Sequence, residues 1–488
     1  MTKTLRNIIL LSIVLISFLM HFNHFSKDLI SFHSWRQTYT QSNIINFYEE
    51  DMNILNPRKN DRGDTDGIFR LEFPIMQWSI ACLYKLFGNH LIISRLFVFI
   101  IGLFSVLGIY RLLFAVFKKE TLAVIGAWTF NFSPAFYFYT INPMPDNLAL
   151  CSSIWGITFF FYWYNNKKLI NLILCGLLLC LGTLAKLPFI VYYIVPFTYF
   201  VLISFKVGLN KKVIIQFFCV FTLVILPMLW YIKAIPQWNN NPIVKGMFDH
   251  NFSIATILDY LLHNLISTLP ELLLNYGSLL FFLAGFFFLF KRKAFKNPKF
   301  PLFLTWSILL VIYYLLEANA IARVHDYYLF PFYPLLFFLV AFGAYHFLNL
   351  RIPFWRYLTW FLLILLPFTC YLRMQNRWNP ESPGFNRDLL VYKKELMEAV
   401  PKHSLVVAGN DISHSIFFYH LDKKGWGFHN DLTSEKLKTM IDKGAEYLYT
   451  DSKDIVNKND IACYLDKLIL ERGTIRIYSL KKSARKML

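Results

Sequence analysis

Apolar windows near 20 residues, about the length a helix needs to cross a hydrocarbon core of about 30 Å, recur up to about residue 374 and dominate what this chain can become. IILLSIVLISFLM from Ile8, LIISRLFVFIIGLFSVLGIY from Leu91 and LTWFLLILLPFTC from Leu358 are examples. Lipid offers the backbone no hydrogen-bond partners, so each such window is a helix that bonds within itself. The pattern predicts about eleven spans. Only 16% of the 488 residues are charged, against about 25% in soluble proteins, so lipid solvates most of the chain. Two less apolar stretches, 75–88 and 253–274, predict helices lying along the membrane surface.

The net charge of +19 does not mark a nucleic-acid partner. Much of the excess lies in short turns: Lys118–Lys119, Lys167–Lys168, Lys206 with Lys211–Lys212, KRKAFKNPK from Lys291, and Arg351 with Arg356. With eleven spans, each turn falls on the same side as Lys3 and Arg6. The positive-inside rule makes that side cytoplasmic. The amino terminus resembles a signal peptide without a small-residue cleavage site, which predicts an uncleaved first span. The expectation is a multi-pass protein of the cytoplasmic (inner) membrane. No CxxC pair suggests zinc or redox chemistry.

The same count puts five polar elements together on the outer side. They are the His33–Pro74 loop, the NPMPDN turn around Asp146, Lys186, the segment 236–274, and ARVHDYY at 322–328. The domain reading is a transmembrane catalytic region, 1–374, with its first outer loop at 25–90, followed by an extracytoplasmic α/β domain, 375–488. In the latter, 404–409, 445–450 and 474–480 read as strands, and 433–444 and 459–470 as helices. GNDISHS after the first strand reads as a strand-to-helix turn.

Ionisable groups gathered at an interface, with little charge inside the spans, favour an enzyme acting on a lipid with a polar head over a transporter. Specific residues then resemble a known family. HSWRQ, NFYEE, NP, RGD, EFP and YKLFG in the first loop, with MPDN at 144–147, LGTLAK at 181–186 and HDYYLFPFYP at 325–334, are similar to the family 39-type glycosyltransferases. These are relatives of the protein O-mannosyltransferases and of the lipid A aminoarabinose transferase. The resemblance implies a GT-C fold; together with the apolar windows and the strand-helix alternation after residue 375, the fold class reads as an α-helical polytopic, GT-C-like membrane protein with a small C-terminal α/β domain. The resemblance also implies an inverting transferase that moves a sugar from a polyprenyl-phosphate-linked donor to an extracytoplasmic glycan, lipid or protein. The alternatives are a transporter of lipid-linked sugars or oligosaccharides, and a non-catalytic lipid-binding relative.

Such a transfer needs a base for the acceptor proton and a cation or metal ion for the leaving phosphate. Relatives commonly carry an acidic residue near the position of Arg36–Gln37 or Tyr39, and this chain has none before Glu49. The base candidates are therefore His33, Asp64, Glu72 and Asp146, of which Glu72 and Asp146 match the EFP and PD motifs and rank first. Each has a plainer reading: Glu72 as a surface carboxylate, Asp146 as a helix cap, His33 as half of an interfacial aromatic pair with Trp35. Trp35, Arg36, Gln37, Asp64, Lys186, Arg323, His325, Tyr327 and Tyr328 are the substrate-binding candidates. Asp64 also suits a tight turn, Lys186 could simply snorkel, and the tyrosines fit an interfacial belt. No cofactor is called for, and a divalent metal on Glu72 with His263 or His325 stays open.

Overall fold

The computed structural model describes residues 2–207, 211–238 and 253–481. Part of the 236–274 segment and the basic tail from 482 lie outside the described residues. The chain forms two compact units: Met1–Ser26, Leu71–Phe73 and Ser94–Gln375 make the first, and Lys27–Arg70, Pro74–Ile93 and Asn376–Leu488 the second.

The first unit is helical. Among the described residues, Lys3–His24, Leu91–Phe117, Lys211–Trp238, Asp326–Leu348 and Pro353–Trp378 are long and apolar enough to cross a membrane, and Leu169–Ala185, Leu187–Leu202 and Phe300–Leu316 are shorter apolar helices. The chain is a multi-pass membrane protein. The window 121–140, which reads as a single span, is broken. Glu120–Asn131 ends before Pro134, which opens a separate helix, Pro134–Tyr139; proline suits a first turn because its missing N–H would be unpaired there. Ile254–His263 continues into a π-helical stretch, Asn264–Leu273, that contains Pro270. The chain then bends by 115° into Gly277–Lys291.

Close backbone contact holds helices together where lipid is as apolar as their side chains. Gly277–Lys291 and Tyr333–Leu348 cross at Gly285 and Gly343. A Cβ on Gly343 would lie 1.9 Å from the Phe281 carbonyl oxygen, and one on Gly285 2.2 Å from that of Leu339.

The second unit contains β1 (Leu405–Gly409), β2 (Lys424–Gly427), β3 (Tyr447–Thr450), β4 (Leu465–Arg472) and β5 (Ile475–Leu480), in the order β2-β1-β3-β5-β4. The first three are parallel, and β5 and β4 are antiparallel additions. Alternation along β1 sends Val406 and Ala408 into one core and Val407 into the other, so both faces of the sheet are covered. The predicted helix over 459–470 is corrected: only Asn459–Ala462 is helical and Leu465–Arg472 is a strand. Gly473, at φ +56°, turns the chain so that β5 pairs back along β4, and this hairpin overrides the local helical pattern. In GNDISHS, the Asp411 carboxylate accepts the backbone N–H groups of Ser413, Ser415 and Ile416. It thereby organises the turn into the helix Ile416–Leu421, as the sequence predicts.

The first outer loop belongs to this unit. Its Asn60–Arg62 strip pairs with β2: the Arg62 N–H donates to the Gly425 carbonyl (2.6 Å), and the Gly425 N–H to that of Asn60 (3.0 Å). Trp426 Nε1 donates to the Gly63 carbonyl at 3.1 Å, and Lys424 pairs with Glu50. Asp28, Lys393 and Tyr419 meet around the buried His420, whose imidazole burial pushes down to about 4 although Asp28, 4.0 Å away, pulls the other way.

Two consequences can be measured. Gly343→Val should cost about 1–3 kcal/mol through overpacking, seen as a lower unfolding temperature of the detergent-solubilised chain, while a substitution at lipid-facing Leu283 (56% exposed) should cost little. Because His420 is held neutral, the unfolded chain takes up its proton first. Stability of the second unit is therefore complete above about pH 6.5 and falls by about 1.4 kcal/mol per unit down to about pH 4. His420→Gln should flatten that window in a protease-susceptibility titration.

Candidate active site

Helices Pro145–Asn166 and Leu169–Ala185 are joined only by Lys167 and Lys168, with Lys167 left-handed at φ 56°. So short a connection makes the helices antiparallel neighbours, and the start of one meets the end of the other. Gly182 permits the approach, since a Cβ there would lie 2.4 Å from Ser153 Oγ and 3.1 Å from the Ala149 carbonyl oxygen. Asp146, in the first turn of one helix, thus meets Lys186, the residue that ends the other, with Nζ 3.4 Å from Oδ1. The side chains are 3% and 12% exposed. The capping residue of the Asp146 helix is Met144, with no side-chain cap bond, so the carboxylate is not spent as an N-cap. Its second oxygen, Oδ2, has no hydrogen-bond partner among the described residues.

Aromatic rings wall the pair. Lys186 Nζ lies 4.8 Å from the ring centre of Tyr328 and 5.6 Å from that of Tyr327, within cation–π range. Both tyrosines sit on the 3₁₀ segment Asp326–Phe332. Tyr313 donates to the Tyr328 carbonyl at 2.8 Å, and Tyr139 to Asp326 at 2.6 Å. Glu72 is buried beside the same helix end. The Phe73 N–H donates to the Leu184 carbonyl (3.0 Å), two residues before Lys186, and Trp230 Nε1 donates to the Leu71 carbonyl (3.0 Å).

Two charged residues in this unit escape the motif reading. Glu317, the residue after the helix Phe300–Leu316, is 8% exposed, lies within electrostatic reach of Lys186, and leaves Oε2 without a hydrogen-bond partner among the described residues. Arg95, fully buried, donates to the Ile141 carbonyl (3.1 Å) and to Asn142 Oδ1 (2.9 Å), tying down the NPMPDN turn that carries Asp146. Each is an ionisable residue at the edge of an apolar run, which is the signal that could have flagged it.

Of the other residues predicted in this unit, His325 packs on the tyrosine wall, its ring centre 5.8 Å from that of Tyr327 and 5.9 Å from that of Tyr328, whereas Arg323 makes its ion pair elsewhere. Arg323 is exposed and forms a bidentate pair with Asp259 at 2.5 and 2.6 Å. His325 Nδ1–H donates to the Ala320 carbonyl at 2.7 Å, and burial lowers its pKa.

In the second unit, His33 is left-handed (φ 56°) and its carbonyl accepts the N–H groups of Arg36 and Gln37, starting the helix Ser34–Glu49. Trp35 packs against the sheet's core. Arg36 is buried with its guanidinium 5.4 Å from the Tyr39 ring centre. Gln37 donates to the Phe32 carbonyl at 2.9 Å. Asp64 stands at the surface, paired with Lys443. Among the described residues, no three His, Cys, Asp or Glu side chains gather as a metal ligand set.

Solved structures share this architecture. ArnT from Cupriavidus metallidurans, bound to undecaprenyl phosphate, superposes with a TM-score of 0.65 over 98% of each chain at 11% identity; its apo form gives 0.65 over 97% of each at 12%. The fold is that of the GT-C glycosyltransferases. AglB, an oligosaccharyltransferase from Archaeoglobus fulgidus solved with an inhibitory peptide and dolichol phosphate, gives 0.59 at 11% identity, over 94% of this chain and 71% of its own. Residues 72–231, from the EFP glutamate to the helix that anchors it, match the family model described as dolichyl-phosphate-mannose-protein mannosyltransferase. No protein of curated function matches the chain in sequence. The matched region contains Glu72, Asp146 and Lys186.

Removing one member of a buried pair strands the other charge, at about 3–5 kcal/mol. Lys186→Met should therefore lower thermal stability sharply, and Asp146→Asn/Lys186→Met should recover most of it. Equal stability of the two variants would mean that the pair is not buried as described.

Proposed function

We propose that the chain is a glycosyltransferase that moves a sugar from a polyprenyl-phosphate-linked donor to an acceptor hydroxyl or amine with inversion at the anomeric carbon. The observation that carries this reading is the buried Asp146–Lys186 pair, walled by Tyr327 and Tyr328 and set beside Glu72. A buried ion pair is expensive, and one with an unpartnered carboxylate oxygen is more readily understood as chemistry than as stabilisation. The GT-C fold and the lipid phosphates bound by ArnT and AglB support the donor class.

In this mechanism the acceptor oxygen or nitrogen forms a bond to the anomeric carbon as the bond from that carbon to the phosphate oxygen breaks. The phosphate leaves with the electron pair, and the ammonium of Lys186 balances its charge. Asp146 or Glu72 takes the acceptor's proton. A donor phosphate competes with the Asp146 carboxylate for the Lys186 ammonium. The site faces outward and the amino terminus is cytoplasmic, in keeping with the side on which the basic turns fall.

Asp146→Asn and Glu72→Gln should each reduce sugar transfer by at least about 100-fold, the scale of a lost general base, with normal membrane expression. The check is transfer from radiolabelled lipid-linked sugars in membranes to endogenous acceptors. Wild-type activity in both variants would refute the site.

A further inference from the structure

The helix that starts at Asp146 ends at Lys167, about 30 Å away. At that far end lysines gather without acids. Lys167 Nζ donates to Tyr199 Oη at 2.6 Å and lies 4.3, 5.0 and 4.9 Å from the ring centres of Trp163, Tyr164 and Tyr199. Lys299 Nζ comes from another helix to within 5.6 Å of the Tyr164 ring centre, and donates to the Val116 carbonyl at 3.0 Å, two residues before Lys118. The two ammonium groups share the Tyr164 ring in cation–π range and so stand no more than about 11 Å apart. No carboxylate occurs in 94–119, 147–238 or 291–316, and Glu120 is taken by Arg6 at 3.4 Å and by Tyr110 at 2.7 Å. Among the described residues, Lys118, Lys167, Lys168 and Lys299 form no ion pair. Lys168 and Lys299 also hold the N-cap positions of Leu169–Ala185 and Phe300–Leu316, whose first turns contain no acid, and a helix start is an unfavourable place for a cation. Burial pushes Lys167 and Lys299 down from the usual lysine range, and the charge of Lys118 adds to the effect on Lys299. A preference for basic turns on one face of a membrane explains the side on which these lysines fall. It does not explain their insertion among the rings of several helices.

We propose that this end of the helical unit binds the headgroup of an anionic phospholipid with two phosphates, a diphosphatidylglycerol (cardiolipin), one phosphate at Lys167 and the other at Lys299 with Lys118. The ligand is an anion because these cations lack a counter-charge from the surrounding helices. It is an amphiphile because the site borders apolar surface: Leu169 and Ile170, directly after Lys168, are 46% and 56% exposed. Basic pockets between helix ends suit such headgroups, and an ammonium meets a phosphate as a point charge from several directions. The rings hold each ammonium in place without neutralising it, so its charge stays available to the phosphate. The bound lipid ties the start of Phe300–Leu316 to the turn between Pro145–Asn166 and Leu169–Ala185, bracing the helix pair whose opposite end holds Asp146 and Lys186. None of these lysines takes part in the transfer reaction, so the site stands or falls apart from it.

The test is native mass spectrometry of the full-length protein in detergent micelles, titrated with cardiolipin, phosphatidylglycerol or phosphatidylcholine, alongside thermal unfolding with each lipid. Cardiolipin should be retained and should raise the unfolding temperature. Phosphatidylglycerol, with one phosphate, should bind at least about tenfold more weakly, and zwitterionic phosphatidylcholine more weakly still. Lys167→Gln/Lys299→Gln should weaken cardiolipin binding about 30-fold, the effect of two lysines beside a lipid headgroup. Lys167→Arg/Lys299→Arg, which keeps both charges, should retain most of it. Lys293→Gln/Lys296→Gln removes the same charge from an exposed turn and should change binding less than about threefold. Equal weakening by the two glutamine pairs means diffuse attraction of charge and overturns the site. Equal affinity for phosphatidylglycerol overturns the two-phosphate assignment, and displacement of cardiolipin by inorganic pyrophosphate overturns the lipid assignment in favour of a free phosphoryl anion. Should the Lys167→Gln/Lys299→Gln protein fail to fold, the wild-type lipid comparison and the pyrophosphate competition still decide.

Discussion

The pairing of Asp146 with Lys186 is the constraint around which the helical unit is arranged. Neither charge could be buried alone, because isolated ions in an apolar interior cost far more than any packing contact returns. The two-residue Lys167–Lys168 turn aligns the helices, Gly182 removes the side chain that would hold them apart, and the tyrosine-bearing 3₁₀ segment closes over the lysine. Arg95 contributes from a third helix by fixing the turn before Asp146 through a carbonyl and an amide oxygen. A long apolar helix tolerates that arginine because its charge is spent on the backbone it positions.

The second unit solves a different problem. The helix Ser34–Glu49 buries Arg36, Gln37, Gln41, Asn43 and Asn46, residues that rarely enter a core without partners. Their amides bond to local carbonyls, to Tyr84 and to Asn60, so the polar loop is ordered rather than loosely solvated. Pairing of Asn60–Arg62 along β2 also protects an exposed parallel edge, the usual liability of an open sheet. Density of ionisable residues in this loop therefore has two sources: some serve its ordering, as Glu50 does with Arg62 and Lys424, and only the remainder is available to a ligand.

Membrane-spanning helices, the α/β character of the C-terminal region and the candidates Glu72, Asp146 and Lys186 were legible in the sequence, because hydropathy, strand-helix alternation and short motifs are local properties. Helix breaks at Pro134 and Pro270 were visible as residues but not as bends, since a proline's effect depends on what repacks around it. The strand Leu465–Arg472 was hidden for the same kind of reason: its apolar residues also fit a helix, and only the return of β5 decided between them.

What the sequence by itself determined was the solvent of each segment and the list of groups able to do chemistry, both set by composition within a few turns of chain. The tertiary structure alone decided which of those groups meet. It freed Asp146 from capping and set it against Lys186, spent Arg323 on Asp259, and brought in Glu317, which no motif marked. Ionic interactions act through space between residues far apart in the chain, so their pairing is a property of the packed helices rather than of any one stretch.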